Sequence, residues 1–258
     1  MGHRESYGTI SYRECPFDGS FVLTPARDET ITVKKVTGEV CNAGLGTLII
    51  KEVADSGRLL NPGGGTVAIG KVTGHGFVRN WNGGGDGVLK AGTVTIGKVT
   101  DRGRVHNEGN GTVTIDELAG KGYYENASGR AIVIIDEVTS EACVVEKAPI
   151  DGGLSDGGTG LVKKAKGRSQ IVVCGGSVKI EELLGKAGVL LRFGVAVLPA
   201  SAAGRVSGWF GSGLKPGIVG GTVSAVVEAA VDYADEDLIG DRRYRVRRPA
   251  RFGWVVGQ

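Results

Sequence analysis

The chain has 258 residues, of which 46 are glycine and 41% are hydrophobic, with a formal net charge of +3. Without a strict Gly-X-Y period the glycine excess excludes collagen, the apolar content excludes a disordered chain, and so small a charge does not by itself imply nucleic acid. No apolar run approaches the ~18 residues of a membrane span, and the polar start MGHRESYGTI has no apolar signal core, so the expectation is cytoplasmic synthesis, with room for later assembly into an extracellular or virion structure.

In chain order, a first unit stands in GTISYRECPFDGSFVL, where Thr9 precedes Gly19 as Thr93 precedes Gly103. Thr30, Thr47, Thr66, Thr93, Thr112 and Ile132 then occupy the same place in successive units. In TVTIGKVTDRGRVHN, Val94 and Ile96 alternate with Thr93 and Thr95, the period of two expected of a strand with one buried face. Val99 continues the core past a corner at Gly97-Lys98, and a second short strand over 103–107 turns Val105 inward. Val94 then stacks with Ile31, Leu48, Val67, Val113 and Val133, and Val105 with Val40, Leu59, Val78, Tyr124 and Val144.

Gly38, Gly57, Gly76, Gly103 and Gly122 each stand four residues before Asn42, Asn61, Asn80, Asn107 and Asn126. The glycine steps are 19, 19, 27 and 19 residues, and the long step carries a Gly-rich insertion after Trp81. A fixed period of this size marks a solenoid. Equivalent residues lie one coil apart, so the rungs must pair in parallel; at ~4.8 Å per rung, about eight of them make a rod of roughly 40 Å. The glycines suit corners that need positive φ or close backbone approach, and the asparagines suit a stacked amide ladder.

Beyond Glu146 the pattern weakens. Residues 148–160 read as a Gly-rich loop and 161–191 as degenerate rungs in which Val178, Ile180 and Leu183 restore the apolar spacing. From Arg192 the repeat stops. Val223, Val226, Val227, Ala230 and Val231 follow helical spacing, which predicts a helix near 222–237, and an arginine-rich stretch with Arg242, Arg243, Arg245, Arg247 and Arg248 alternates with aromatic and apolar residues as a strand does. The expected fold is therefore an all-β parallel solenoid over 1–191, clearest over 8–147, with a small α+β cap or assembly region over 192–258 that covers the open end.

Several features bear on chemistry. The corner residues run Lys34-Lys35, Lys51-Glu52, Gly70-Lys71, Gly97-Lys98, Asp116-Glu117, Asp136-Glu137 and Glu181-Glu182, a passage from basic to acidic along the rod. Stacking brings Asp116 near Asp136 and Glu117 near Glu137, which suits a solvated edge, an assembly contact, or a cation or acid–base pair. Thr-x-Thr pairs at Thr93/Thr95 and Thr112/Thr114 raise an ice-binding reading, against which stands simple β-propensity. Cys15, Cys41, Cys143 and Cys174 have no metal-ligand spacing, with Cys15 in a core column as a free thiol; His75 and His106 fall in different columns. The Gly-Lys-Val-Thr units at 70–73 and 97–100 lack the order of a phosphate loop. Trp81, Trp209 and Phe210 in Gly-rich loops are candidate partner anchors, and the acidic stretch 232–241 beside the arginines argues for intramolecular or intersubunit pairing rather than nucleic acid.

The Gly-x-x-x-Asn repeat with its apolar columns resembles the parallel β-helix or β-solenoid class. The resemblance is one of architecture, over about residues 8–191, and carries no active-site residues with it; folds of this class serve as filament and fibre subunits, virion spikes, adhesins, scaffolds and polysaccharide-cleaving enzymes. The expectation is a non-enzymatic structural subunit that assembles with itself, with no catalytic, cofactor or metal residues, using Lys34, Lys35, Asp116, Glu117, Asp136, Glu137 and the arginine-rich strand as polar contacts and Trp81, Trp209 and Phe210 as anchors. The alternatives are a carbohydrate-binding or carbohydrate-cleaving solenoid, with Asp116, Glu117, Asp136 and Glu137 as its acidic cluster and a glycan or other polyanionic surface as partner, and an ice or mineral binder.

Overall fold

The computed structural model describes residues 9–15, 20–81, 92–128, 130–147, 158–199, 206–208 and 222–225. They form a parallel β-solenoid of about eight turns, with no helix among them. Each coil consists of a long strand, a tight turn and a short strand. Thr112–Leu118 and Tyr123–Asn126 are representative. In the long strand Val113, Ile115 and Leu118 are fully buried, while Asp116 and Glu117 face outward one after the other and so mark a corner. Val94, Val113 and Val133 are successive register partners, as are Val78, Val105, Tyr124 and Val144. The apolar columns expected from the sequence therefore form one continuous core.

The turn between the two strands needs one left-handed residue. Asp55, Gly74, Asp101, Gly120, Ser140, Gly167 and Gly185 hold it, with φ between 55° and 75°. The signature glycines sit two residues further on and serve the other purpose, close approach. A Cβ on Gly57 would lie 2.2 Å from the Val36 carbonyl oxygen, and one on Gly122 2.9 Å from that of Ala119. In later coils Ala142, Ser169 and Ala187 take this place, directly before the register partners Cys143, Gln170 and Gly188. Four residues on from each come Glu146, Val173 and Leu191 in the asparagine column. The coil thus continues while the letters of the Gly-x-x-x-Asn signature change.

Asn42, Asn61, Asn80, Asn107 and Asn126 are all fully buried. Each donates from Nδ2 to Oδ1 of the next, at 2.9, 2.7, 2.8 and 2.9 Å, and Asn126 donates to Glu146 Oε1. A buried amide costs stability unless it is hydrogen-bonded, and here each interior amide is acceptor to one neighbour and donor to the other. Apolar residues flank the column, Leu23 before Asn42 and Val173 after Glu146. Asn42 Oδ1 and Glu146 Oε2, the two ends, are accordingly buried without a hydrogen-bond partner among the described residues.

The C-terminal coils depart from the sequence reading in three places. Thr159 and Gly160, assigned to the loop 148–160, already belong to the strand Thr159–Ala165: Thr159 extends the outer threonine column and Gly160 sits where a Cβ would be 3.2 Å from Val178 Cγ2. The strands Gln170–Leu183 and Gly188–Val197 carry parallel pairing past Arg192, to Lys179 opposite Val197. The predicted helix does not begin at 222. Thr222–Ala225 is a strand, antiparallel to Gly194–Val197, while Val206–Gly208 pairs in parallel with Val189–Leu191. The valine spacing is helical, but the edge of the last coil offers unpaired backbone groups that a β-branched segment satisfies. The remainder of 222–237 and the arginine-rich stretch lie outside the described residues.

The ladder has a graded consequence. Asn80→Ala orphans Asn61 Nδ2 and Asn107 Oδ1, whereas Asn42→Ala orphans only Asn61 Oδ1. At about 1–3 kcal/mol per buried orphan, thermal or denaturant unfolding is expected to show the Asn80 variant losing roughly twice as much stability as the Asn42 variant. Equal losses would contradict a directional ladder.

Candidate functional site

The solenoid presents three outer surfaces. At the corner of the long strands, register places Glu14, Lys35, Glu52, Lys71, Lys98, Glu117, Glu137, Lys164 and Glu182 in one column. This corrects the expected passage from basic to acidic. The charges mostly alternate: Glu52 already interrupts the basic end, and Glu14 and Lys164, which the reading from sequence passed over, interrupt the trend at both ends. Glu117 does face Glu137, as expected, but each has a cation: Lys98 lies 2.8 Å from Glu117, and Lys166 pairs with Glu137. Lys163 lies 2.8 Å from Asp136, a contact that with the nearby Glu181 and Asp116 raises its pKa. Lys35 pairs with Asp55 at 3.4 Å, and Lys34 is exposed. Such exposed pairs each contribute about 0–1 kcal/mol. Among the described residues no group of three or more His, Cys, Asp or Glu side chains is placed to hold a metal ion.

The outer face of the long strands is threonine-rich. Thr9, Thr30, Thr47, Thr66, Thr93, Thr112, Ile132, Thr159 and Ser177 form one column, and the register adds Thr30/Thr32 to the complete Thr-x-Thr pairs. Alternation with Ile49, Ala68, Ile134 and Leu161 in the second column breaks the hydroxyl array. Between the strands, the left-handed turns line an open groove of about 500 Å³ over His75, Arg102, Lys121 and Glu141. There the Asp101 carboxylate accepts a hydrogen bond from Thr73 Oγ1, which with the Gly74 amide holds it below the usual carboxylate range.

The outer face of the short strands is the most chemically varied. Glu39, Arg58, Phe77, Arg104, Tyr123 and Cys143 follow one another in one column, and Cys41, Leu60, Arg79, His106, Glu125 and Val145 in the next. Trp81 and Glu108 follow the strands Phe77–Asn80 and Arg104–Asn107 directly, and Trp81 is half-buried beneath the Arg79 guanidinium, 5.0 Å from its ring centroid. Arg79 also forks onto Glu108, from Nε at 3.1 Å and Nη2 at 2.6 Å. Arg58 lies 5.8 Å over Phe77 and 3.0 Å from Glu39. The His106 ring meets Phe77 edge-on at 5.1 Å and Tyr123 at 5.9 Å, and burial lowers its pKa despite Glu125 and Glu108. Burial alone would raise Glu125, but Lys147 at 2.7 Å and the Tyr123 hydroxyl together bring it below the usual range. Arg104 is exposed and has no charge partner among the described residues. Reasoning from sequence found Trp81 but not its neighbours; the available signal was the pair of outward positions in each Gly-x-x-x-Asn unit, such as Arg104 and His106 in Gly-Arg-Val-His-Asn.

Other candidate residues are placed plainly. Trp209, Phe210, Arg242, Arg243, Arg245, Arg247 and Arg248 lie outside the described residues. Cys15 falls opposite Val36, in line with the core column assigned to it, and Cys41 and Cys143 are free thiols. Burial, with Cys174 and Glu125, pushes the Cys143 thiol up to about 11. His75 stands at a turn and His106 on a short strand, as their columns implied. Asn126 also opens a formal glycosylation sequon, Asn126-Ala127-Ser128, but as a fully buried ladder member it is closed to glycosylation in the folded chain. Compared with protein-family models, curated proteins and solved structures, the chain matches none.

Among the described residues Glu146 is the one carboxylate in the core. Burial pushes its pKa up to about 8, against a lowering by the Asn126 hydrogen bond. A carboxyl whose folded pKa exceeds its unfolded one stabilises the fold fully below the unfolded value, and that contribution is lost as pH rises toward the folded value. The expected outcome is that Glu146→Gln and wild type melt alike near pH 4.5, and that the glutamine variant melts progressively higher than wild type as pH rises to about 8. A difference independent of pH would contradict the assignment.

Proposed function

We propose that this chain is a non-enzymatic structural subunit, a short rigid β-solenoid rod that associates with copies of itself into a larger assembly such as a filament, fibre, sheath or virion surface. The observation that carries this reading is the inequality of the two ends. At the C-terminal end, Thr222–Ala225 and Val206–Gly208 cover the edge of Gly188–Val197. At the N-terminal end, Thr9–Cys15 pairs only with Thr30–Val36, and Ser20–Leu23 only with Glu39–Asn42, among the described residues. Phe21 belongs to the fully buried column of Val40 and Leu59, yet it is 37% exposed, and neighbouring Val22 is 63% exposed. An apolar core end beside unpaired strand edges is a template for association.

This reading shifts the contact away from the charged corner. Lys35, Glu117, Asp136 and Glu137 are engaged within the chain, so an assembly resting on them would compete with their own ion pairs. An apolar contact strengthens as salt rises, whereas a charge-directed one weakens. Sedimentation of the full chain, with negative-stain microscopy, is therefore expected to show concentration-dependent association that persists in high salt and that Phe21→Asp weakens, with its melting temperature reporting that the variant folds. A monodisperse monomer at every concentration and salt would overturn the proposal.

A further inference from the structure

We propose that the outer face of the short strands binds a linear polysaccharide bearing carboxylates, laid along the rod axis across successive coils. This does not depend on self-association. The two broad faces of the solenoid carry the same core pattern, but their outer residues differ in kind. The long strands meet water with threonine and aliphatic residues, the ordinary composition of a β face. The short strands instead hold half-buried Phe77, Trp81 and Tyr123 among guanidiniums and carboxylates. Packing needs none of this, since Val145, Val172 and Leu190 serve in the same outward column further along.

Three properties of the face point to one ligand class. Its groups recur with the rungs, about every 4.8 Å, so they suit a polymer with a short regular repeat better than a compact molecule. It offers aromatic surface for C–H faces together with donors and acceptors: Glu108 and Glu125 keep lone pairs beyond those taken by Arg79 and Lys147, since an ionised carboxylate has about four acceptor sites. Hydroxyl groups, which donate and accept, match that mixture. Finally, the charges nearly balance, Arg58, Arg79, Arg104 and Lys147 against Glu39, Glu108 and Glu125. A DNA strand has a phosphate at every unit and no chain hydroxyl to donate to those three carboxylates, whereas each unit of a polyuronate sets free hydroxyls beside its carboxylate. A sugar acid needs one fork to hold it, and Arg104 is exposed without a charge partner among the described residues, with five donors in a planar array.

The test is affinity electrophoresis of the full chain in gels containing polygalacturonate, neutral hydroxyethylcellulose or poly(dT). Polygalacturonate is expected to retard the chain most. Arg104→Ala and Trp81→Ala are each expected to weaken that retardation about tenfold in apparent dissociation constant, the loss of one charged hydrogen-bonding group or one aromatic contact. Lys121→Ala, at the turn groove, should leave it unchanged, with melting temperatures reporting that each variant folds. Retardation by poly(dT) or hydroxyethylcellulose alone, no retardation at all, or retardation by polygalacturonate that survives both variants would overturn the proposal.

Discussion

Everything in this solenoid depends on every coil repeating the register of the one before. Parallel stacking satisfies the backbone only if equivalent residues stay opposite, and a slip of one residue would exchange inner and outer faces. Apolar columns of valine and isoleucine oppose that slip but resist a slip of two residues only weakly, because one branched side chain packs nearly as well as another. The asparagine ladder is more demanding. Its amides are buried among those columns and bond from one coil to the next, so misalignment orphans buried donors and acceptors. The insertion after Trp81 shows the constraint at work: Asn80 and Asn107 are 27 residues apart, yet their hydrogen bond, at 2.8 Å, matches those between asparagines 19 apart. The strands on either side of the extra residues keep the register of the other coils.

A fixed coil leaves the outward positions free to vary, and function must reside there. Three surfaces follow from one repeat: a corner with mostly alternating charge, a threonine-rich face, and a short-strand face of aromatic and charged residues. Several corner charges pair along the rod, as Lys98 does with Glu117 and Lys163 with Asp136. The short-strand face does more than local packing requires. Among the described residues the ends of the rod differ as well, since one carries a strand of reversed direction and the other leaves Phe21, the last member of its column, partly exposed. The end association and the flank binding proposed for this rod would occupy different places on it.

Much of this was legible in the sequence because the fold is periodic. Gly57, Gly76, Gly103 and Gly122 fixed the phase, and the apolar columns, the corner and the buried asparagines followed. What escaped has physical causes. The coils beyond Glu146 were hard to see because Ala142, Ser169 and Ala187 replace the glycine of close approach while Glu146, Val173 and Leu191 replace the asparagine, leaving only hydrophobic phase to read. The turn residue with positive φ was obscured because aspartate and serine share that role with glycine, as at Asp101 and Ser140. Val223 lies in a stretch with helical spacing, but an unpaired edge at Gly194–Val197 competes for it and wins. The corner column looked like a gradient because Lys163 and Lys164 follow a Gly-rich loop that breaks the count, and the aromatic and charged flank is a neighbourhood across coils that no single unit displays.

The account stands or falls on the buried ladder in an in-register coil, and the most direct measurement is hydrogen exchange of asparagine side-chain amides by NMR on the intact chain. Asn61, Asn80 and Asn107 are expected to give side-chain NH₂ signals protected as strongly as the backbone amides of the short strands that carry them, because both are released only when the coil opens. Exchange of those side-chain amides at the rate of an exposed asparagine, beside protected backbone, would mean that the amides do not stack in the core, and the register argument would fail with them.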